Sequence, residues 1–302
     1  MKIVLAGGSG FLGQVLQKSF GADPANEVVV LSRTAAPTER RLRTAVWDAR
    51  QPGHWVYELE GADLLVNLTG KSVNCRYTEA NRREILRSRV EATQVLDRAV
   101  AGLAQPPKVW MNASSATWYR NAEDRPMDEY TVETAQDFSM GVVQAWEAAF
   151  FAQEIPGVRK VALRISLVLG KNGGVWPVFR QLATVGLAGS LGSGRQKTSW
   201  IHEQDVVAAV KFLYETEGLS GPVNVTAPEP VSNAEFMQAV RKNAGPGVAI
   251  HQPEWMVRMG AVLMGTEAEL VLKSRWVVPA RLKEWGFTFK YPRVSQAMEA
   301  LT

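Results

Sequence analysis

Three glycines near the start of the chain, Gly7, Gly10 and Gly13, are spaced as a phosphate-cradling turn requires. Gly7 permits a tight turn, Gly10 lets a pyrophosphate approach the backbone, and Gly13 lets a helix pack close to a strand. A second group with chemistry of its own is Arg33, at the tip of the run Leu31-Ser32-Arg33-Thr34. An acidic residue at that tip would accept the ribose 2′-hydroxyl of NAD, whereas an arginine offers a fork of donors to a 2′-phosphate, so the expected cofactor is NADP(H). A third group is the hydroxyl-rich run Ser114-Ser115-Ala116-Thr117-Trp118-Tyr119. Hydroxyls at a strand end can hydrogen-bond a reacting carbonyl or alcohol, and small polar residues there also form turns. Arg89, beside an apolar helix face, can meet the cofactor or an anionic substrate, or form a rim salt bridge. Within a glycine-rich stretch, Arg195, Gln196 and Trp200 belong to a polar segment of the kind that carries substrate contacts. His54, His202 and His251 are far apart and Cys75 is the single cysteine, so no metal site is expected. His202, with no partner acid or nucleophile in sight, is expected to be structural.

These groups need elements to hold them. Ile3–Leu5 reads as a buried strand, and Leu12, Val15, Leu16 and Phe20 recur at helical spacing after the glycines. The first helical residues, Phe11 and Leu12, then present free N–H groups and a positive dipole end to phosphates. Further strands are expected at 28–31, 44–47 and 63–67, the last running into Leu68 and Thr69, which line a crevice at the strand ends. A long helix covers 78–101, with a buried stripe of Leu86, Val90, Thr93, Leu96 and Val100. Strand 108–112, a cover helix over 136–151 and strand 158–165, continuing through Val168 and Gly170, follow. After an irregular stretch, a helix runs from Asp205 to Tyr214 and a strand from Pro222 to Val225, and Ser232 with Glu235 forms a capping box. Strands alternating with helices predict an α/β fold, a Rossmann-type doubly wound parallel sheet with a smaller C-terminal substrate lobe. The expected division gives residues 1–170 to an NADP-binding domain to which 200–225 return, and 171–199 with 226–302 to the lobe.

Composition narrows the class. With 302 residues, 46% of them apolar, the chain can bury a large core. The net charge of +4 is small and dispersed, and the densest basic run, Arg40 to Arg43, reads as a solvated loop face rather than a nucleic-acid patch. A lone cysteine excludes an intrachain disulfide framework, and no apolar run reaches membrane-spanning length. No signal peptide precedes the first strand, so a cytoplasmic protein acting on a small molecule is expected, with neither nucleic acid nor membrane as partner.

The chain resembles an extended, or atypical, short-chain dehydrogenase/reductase. Within that superfamily it is similar to the NAD-dependent epimerase/dehydratase-like proteins that carry a C-terminal domain of unassigned function. The resemblance rests on GGSGFLG, LSR, NLTG, SRVEATQVL, WEAA at 146–149, RISLVLG, GSGRQKTSWIH, NVTAPEPVSNAEF and VVPARLKEWGFTF. It implies bound NADP(H) and a cleft between two lobes, with cofactor contacts at Ser32, Arg33, Leu68, Thr69, Glu84, Arg89 and Val168. Typical members of the superfamily pair a tyrosine with a lysine four residues on, the lysine lowering the tyrosine pKa. Counting back from Glu147, those positions hold Ser139 and Val143. Tyr130, four residues before Thr134, also lacks the lysine. Ser115 matches the superfamily's catalytic serine, and Tyr119 is the nearest alternative acid. Two functions fit: an NADP-dependent oxidoreductase or epimerase acting on a small polar or nucleotide-linked substrate, or an NADP(H)-responsive binding protein without turnover.

Overall fold

The structure, a computed structural model, describes residues 1–36, 41–133, 137–245 and 250–302. Its frame is a parallel sheet of seven strands. Four come early: β1 (Lys2–Ala6), β2 (Glu27–Ser32), β3 (Leu42–Val46) and β4 (Leu64–Asn67). Then follow β5 (Val109–Ser115) and β6 (Arg159–Ile165), and much later β11 (Gly221–Val225). The strand order is β11-β6-β5-β4-β1-β2-β3, with every neighbour parallel. The order reverses between β1 and β4, which opens a crevice at their carboxyl ends.

Both faces of this sheet are covered, which is why its strands are apolar at nearly every position. Alternate residues of β1 serve different cores. Ile3 and Leu5 pack with Leu16 and Phe20 of α1 (Phe11–Gly21) and with Val206, Val210 and Leu213 of α5 (Glu203–Glu215). Val4 and Ala6 pack with Ala92, Leu96 and Val100 of α2 (Glu79–Ala101), the core that Phe150 of α3 (Phe138–Phe150) completes. The inward stripe of α2 differs from expectation at one end: Ile85 is buried and Leu86 is 38% exposed. Ile85 lies about three turns from Leu96 and so on the same face, whereas Leu86 is turned about 100° away.

Strand β7 (Leu167–Gly170) leaves the large sheet and pairs with β10 (Trp200–His202) and β8 (Gly173–Gly174). Between Gly173-Gly174 and the glycine-rich stretch Gly186 to Gly194, both expected to be irregular, lies α4 (Trp176–Thr184), whose Trp176, Phe179 and Ala183 are buried. They pack with Phe236, Met237 and Val240 of α6 (Asn233–Ala244) in a separate core. The capping box of Ser232 and Glu235 starts α6. Ser232 ends β12 (Val231–Ser232), which pairs antiparallel with β9 (Lys197–Thr198). The C-terminal segment adds α7 (Glu254–Leu263), α8 (Glu269–Leu272), α9 (Ala280–Glu284) and α10 (Val294–Glu299). No helix among the described residues is long and apolar enough to cross a membrane. Of the basic run at 40–43, Arg43 is ion-paired with Glu27 and Glu58, and Arg40 lies outside the described residues.

Candidate cofactor and substrate site

The glycines of the first turn act in different ways. Gly7 has φ +73°, and a Cβ there would stand 2.9 Å from the Thr69 backbone, so the β1 turn and the loop after β4 touch through it. Gly13 is internal as well, since its Cβ would lie 2.1 Å from Gly8 O, where α1 folds back on the turn. Gly10 is different: a Cβ there meets only Gly7 O at 3.6 Å, and it faces open space. Gly10 is also the N-cap of α1, no side chain caps that helix, and its first turn contains no acidic residue. The N–H groups of Phe11, Leu12 and Gly13 have no partner inside the helix and are available to an anion.

The opposite wall is the loop after β4. Leu68 N continues the ladder to Ala6 O at 2.8 Å, and Thr69 N bonds Asn67 Oδ1 at 3.0 Å. Thr69 Oγ1 is buried with no hydrogen-bond partner among the described residues. An orphaned hydroxyl at the strand reversal, on a residue whose backbone packs against Gly7, fits a ligand that supplies its partner. Beneath this wall, Arg89 lies over the Trp146 ring at 5.1 Å and donates from Nη1 to the carbonyls of Lys71 and Ile85, each at 3.0 Å. Burial pulls its pKa down to about 10. Glu84 pairs with Arg87 rather than with Arg89. A buried network braces the floor: Asn67 Nδ2 donates to Asn112 Oδ1 at 2.7 Å, and Trp146 Nε1 donates to Thr93 Oγ1 at 3.0 Å. In the sequence Thr93 stands only as one member of the α2 stripe. Its one hint was a polar residue on an apolar face.

At the end of β2, Ser32 is buried and accepts from Thr34 N at 3.3 Å, and Arg33 is exposed. Phe11 seats its ring on the hairpin of β7 and β8. A Cβ on Gly170 or Gly173 would come within 2.2 Å of that ring, so both positions must be bare. Gly174 (φ +66°) lies under the same ring, and a Cβ there would fall 2.2 Å from Val168 O. The hairpin carrying Val168 is thereby fixed against the first turn of α1.

Strand β5 runs three residues beyond the expected end, so Ser114 and Ser115 are strand residues opposite Arg164 and Ile165. Ser115 is half-buried at the strand tip, where its Oγ donates to Thr117 Oγ1 at 2.9 Å and accepts from Thr117 N at 3.1 Å. Tyr119 requires a correction. It is fully buried, its hydroxyl donating to Asn224 Oδ1 at 2.9 Å and accepting from Arg164 Nη1 at 3.0 Å. Burial pushes its pKa up to about 12, against the pull of Arg164, which makes it a poor proton donor or acceptor near neutrality. The short turn after Ser115 directs the ring inward, into a network whose centre is the buried pair of Arg164 Nη2 and Glu147 Oε2 at 2.8 Å. Ser114 Oγ also bonds Glu147. Tyr130 lies on the surface, 62% exposed, its hydroxyl held by Glu284 at 2.6 Å. Thr134 lies outside the described residues.

The expected substrate segment is not a single surface. Trp200 is fully buried in the lobe core with Nε1 directed at Glu229 O, 3.3 Å away. Gln196 is 3% exposed and donates to the carbonyls of Leu191 (2.8 Å) and Val271 (3.3 Å). Arg195 is on the outside. Packing the lobe core, rather than forming a cleft, explains why this run mixes polar and aromatic residues. Gln196 still borders a cavity of about 330 Å³, which Ser193, Glu269 and Lys273 also line.

His202 caps α5, its Nδ1 accepting from Gln204 N at 3.1 Å, and its ring centre is 4.1 Å from that of Tyr291. Burial, with a smaller push from Lys290, lowers its pKa from 6.5 to about 4. The unfolded chain therefore binds a proton that the folded chain refuses, and stability present above pH 6.5 is lost as the pH falls toward 4. Urea titrations at pH 7 and pH 5 should show a loss of about 2 kcal/mol from this group. His202→Asn keeps the cap acceptor and should remove that share of the acid sensitivity. An unchanged acid limb would show that His202 titrates normally.

A parallel sheet with a glycine turn and an uncapped helix start at its strand reversal defines a Rossmann-type nucleotide-binding protein. The chain belongs to the NAD dependent epimerase/dehydratase family, whose profile matches residues 3–226, and a domain of unknown function, DUF1731, matches 252–301. It is 31% identical to the epimerase family protein YfhF of Bacillus subtilis (strain 168), over 100% of this chain and 98% of that one. It is 30% identical to the human epimerase family protein SDR39U1, over 100% and 99% of the two chains. The crystal structure of human SDR39U1 (isoform 2) with NADPH superimposes with a TM-score of 0.88 at 30% identity, covering 100% of this chain and 99% of that one. The fold is also that of a UDP-N-acetylglucosamine 4-epimerase from Bacillus cereus, with a TM-score of 0.75 at 18% identity.

Proposed function

We propose that this protein binds NADP(H) in the crevice between β1 and β4 and uses it to oxidise, reduce or epimerise a small polar substrate held against the smaller lobe. The observation that carries this reading is the pairing of an open Gly10 with the orphaned Thr69 Oγ1 across the strand reversal. The NADPH bound to the human relative supports it. On this reading the turn 7–13 holds the pyrophosphate through backbone N–H groups, and Ser32 and Arg33 take the adenosine 2′-phosphate. Leu68, Thr69 and Arg89 line the ribose side, with Val168 closing the crevice from the β7–β8 hairpin. Glu84 acts there only by leaving its partner Arg87. The cofactor supplies or accepts the hydride. Ser115 binds the substrate oxygen, exchanging its bond to Thr117 for one to the ligand, and neither Tyr119 nor Tyr130 shares that task. Residues 1–166 and 203–225 form the cofactor-binding part, and the protein works in the cytoplasm.

Arg33→Ala tests the cofactor assignment. Losing a charge-assisted hydrogen bond to a phosphate costs about 1.5–3 kcal/mol, so NADPH affinity should fall about ten- to a hundredfold while NADH affinity is unchanged. Calorimetry reads both, and an Arg33→Ala protein that still prefers NADPH as the wild type does would refute the role of Arg33.

A further inference from the structure

Helix α7 carries apolar residues on two opposite sides. Val257 and Ala261 are buried and join the core of the smaller lobe. Trp255, Met259, Val262 and Leu263 follow the spacing i, i+4, i+7 and i+8, so they form a second apolar stripe on the other face. These four are between 53% and 82% exposed, and Met264 at the helix end is exposed as well. Single exposed leucines are ordinary on a protein surface, whereas a contiguous stripe with a tryptophan in it marks a contact face. Only Val257 and Ala261 of the ten residues of α7 are buried, so the helix is held on one side and bare on the other.

Size and charge narrow the occupant. Large side chains carry about 150–250 Å² each, so these exposures leave about 600 Å² of apolar surface on one copy of the chain. Two such faces pressed together remove about 1,200 Å² from water, which is where specific protein interfaces begin. A lipid surface fits less well, because anionic headgroups are drawn by unpaired Lys and Arg. Residues 254–273 hold two cations, Arg258 and Lys273, against three carboxylates, Glu254, Glu267 and Glu269. Arg258 pairs with Glu254 at 2.6 Å, and Lys273 pairs with Asp137 and Glu269. The stripe also complements itself. Trp255 and Leu263 each stand four residues from Met259. In an antiparallel crossing about Met259, the indole of one copy meets Leu263 of the other at both ends. Two pliable methionines then fill the centre, and the same patch serves both copies, as a closed dimer requires.

We propose that the outer face of α7 docks a second copy of this chain, the two helices crossing antiparallel about Met259. The inference is independent of the cofactor assignment. It bears on the smaller lobe all the same, because Glu254 and Arg258, on the flank of this helix, line the cavity of about 330 Å³. A second copy seated on α7 braces one wall of that cavity from outside.

Analytical ultracentrifugation of the full chain at micromolar concentration should show a dimer. Leu263→Glu should weaken it at least about a hundredfold, because each dimer loses two buried leucines and gains two buried carboxylates. The side chain at 263 meets water in a single copy, so the circular dichroism of the variant should match wild type. Should Leu263→Glu fail to fold, Trp255→Lys carries the same expectation. A short bismaleimide tests the crossing point: Met259→Cys in a Cys75→Ser chain should give a covalent dimer, and Cys75→Ser alone should not. A wild type that is monomeric throughout the micromolar range, a dimer that survives Leu263→Glu, or no cross-link through position 259 would each overturn the proposal. So would binding of the wild type to vesicles of phosphatidylglycerol and phosphatidylcholine that Leu263→Glu abolishes, since the face would then belong to a membrane.

Discussion

Gly10→Val abolishes NADPH binding and leaves a folded protein: that is the expected result, and it separates a ligand-facing glycine from a structural one. The backbone at Gly10 has φ −74° and ψ 172°, which valine adopts without strain. A Cβ there would meet no atom of the described residues closer than Gly7 O at 3.6 Å, so folding has little reason to suffer beyond the loss of a favourable N-cap residue. The space it fills is the space the pyrophosphate needs. Calorimetry should detect no binding, while circular dichroism and the thermal midpoint stay near wild type. Gly13 provides the contrast, because a Cβ 2.1 Å from Gly8 O forces the turn itself apart. Unchanged NADPH affinity in Gly10→Val would show that the open face of the turn holds no ligand.

Turnover should depend on Ser115. Its hydroxyl stands at the carboxyl end of β5, beside the strand reversal, and its only partner among the described residues is Thr117 two residues on. A local bond of this kind is readily exchanged for one to a substrate oxygen, and a hydroxyl can both donate and accept. Removing a positioned proton-handling group typically costs about 100- to 10,000-fold in rate. With a substrate found by following NADPH absorbance across a metabolite library, Ser115→Ala should lose activity on that scale at full cofactor saturation. Tyr130→Phe, altered at a surface hydroxyl held by Glu284, should not. The opposite pattern, an active Ser115→Ala and an inactive Tyr130→Phe, would move the reaction site away from β5.

What was legible in the sequence follows from physics that acts locally. The parallel strands announced themselves because both faces of the sheet are covered, so β1 could be read from Ile3, Val4 and Leu5 alone. The glycine turn was legible because close approach excludes every other residue type. The roles of longer side chains were not. Tyr119 and Trp200 sit in runs rich in polar residues, yet both are fully buried, and only the fold says that Arg164 and the lobe core claim them. The same holds for Phe11, whose seat is built from Gly170, Gly173 and Gly174, far along the chain. Helix α4 was hidden by the glycines on either side of it, although Trp176, Phe179 and Ala183 already had the spacing of a buried helical face.

The most direct test of the central claim is a parallel calorimetric titration of NADPH and NADH into the wild-type protein. The account predicts one site for NADPH, with NADH about ten- to a hundredfold weaker because it lacks the 2′-phosphate that Arg33 meets. Equal affinities for the two cofactors, or no binding of either, would contradict it.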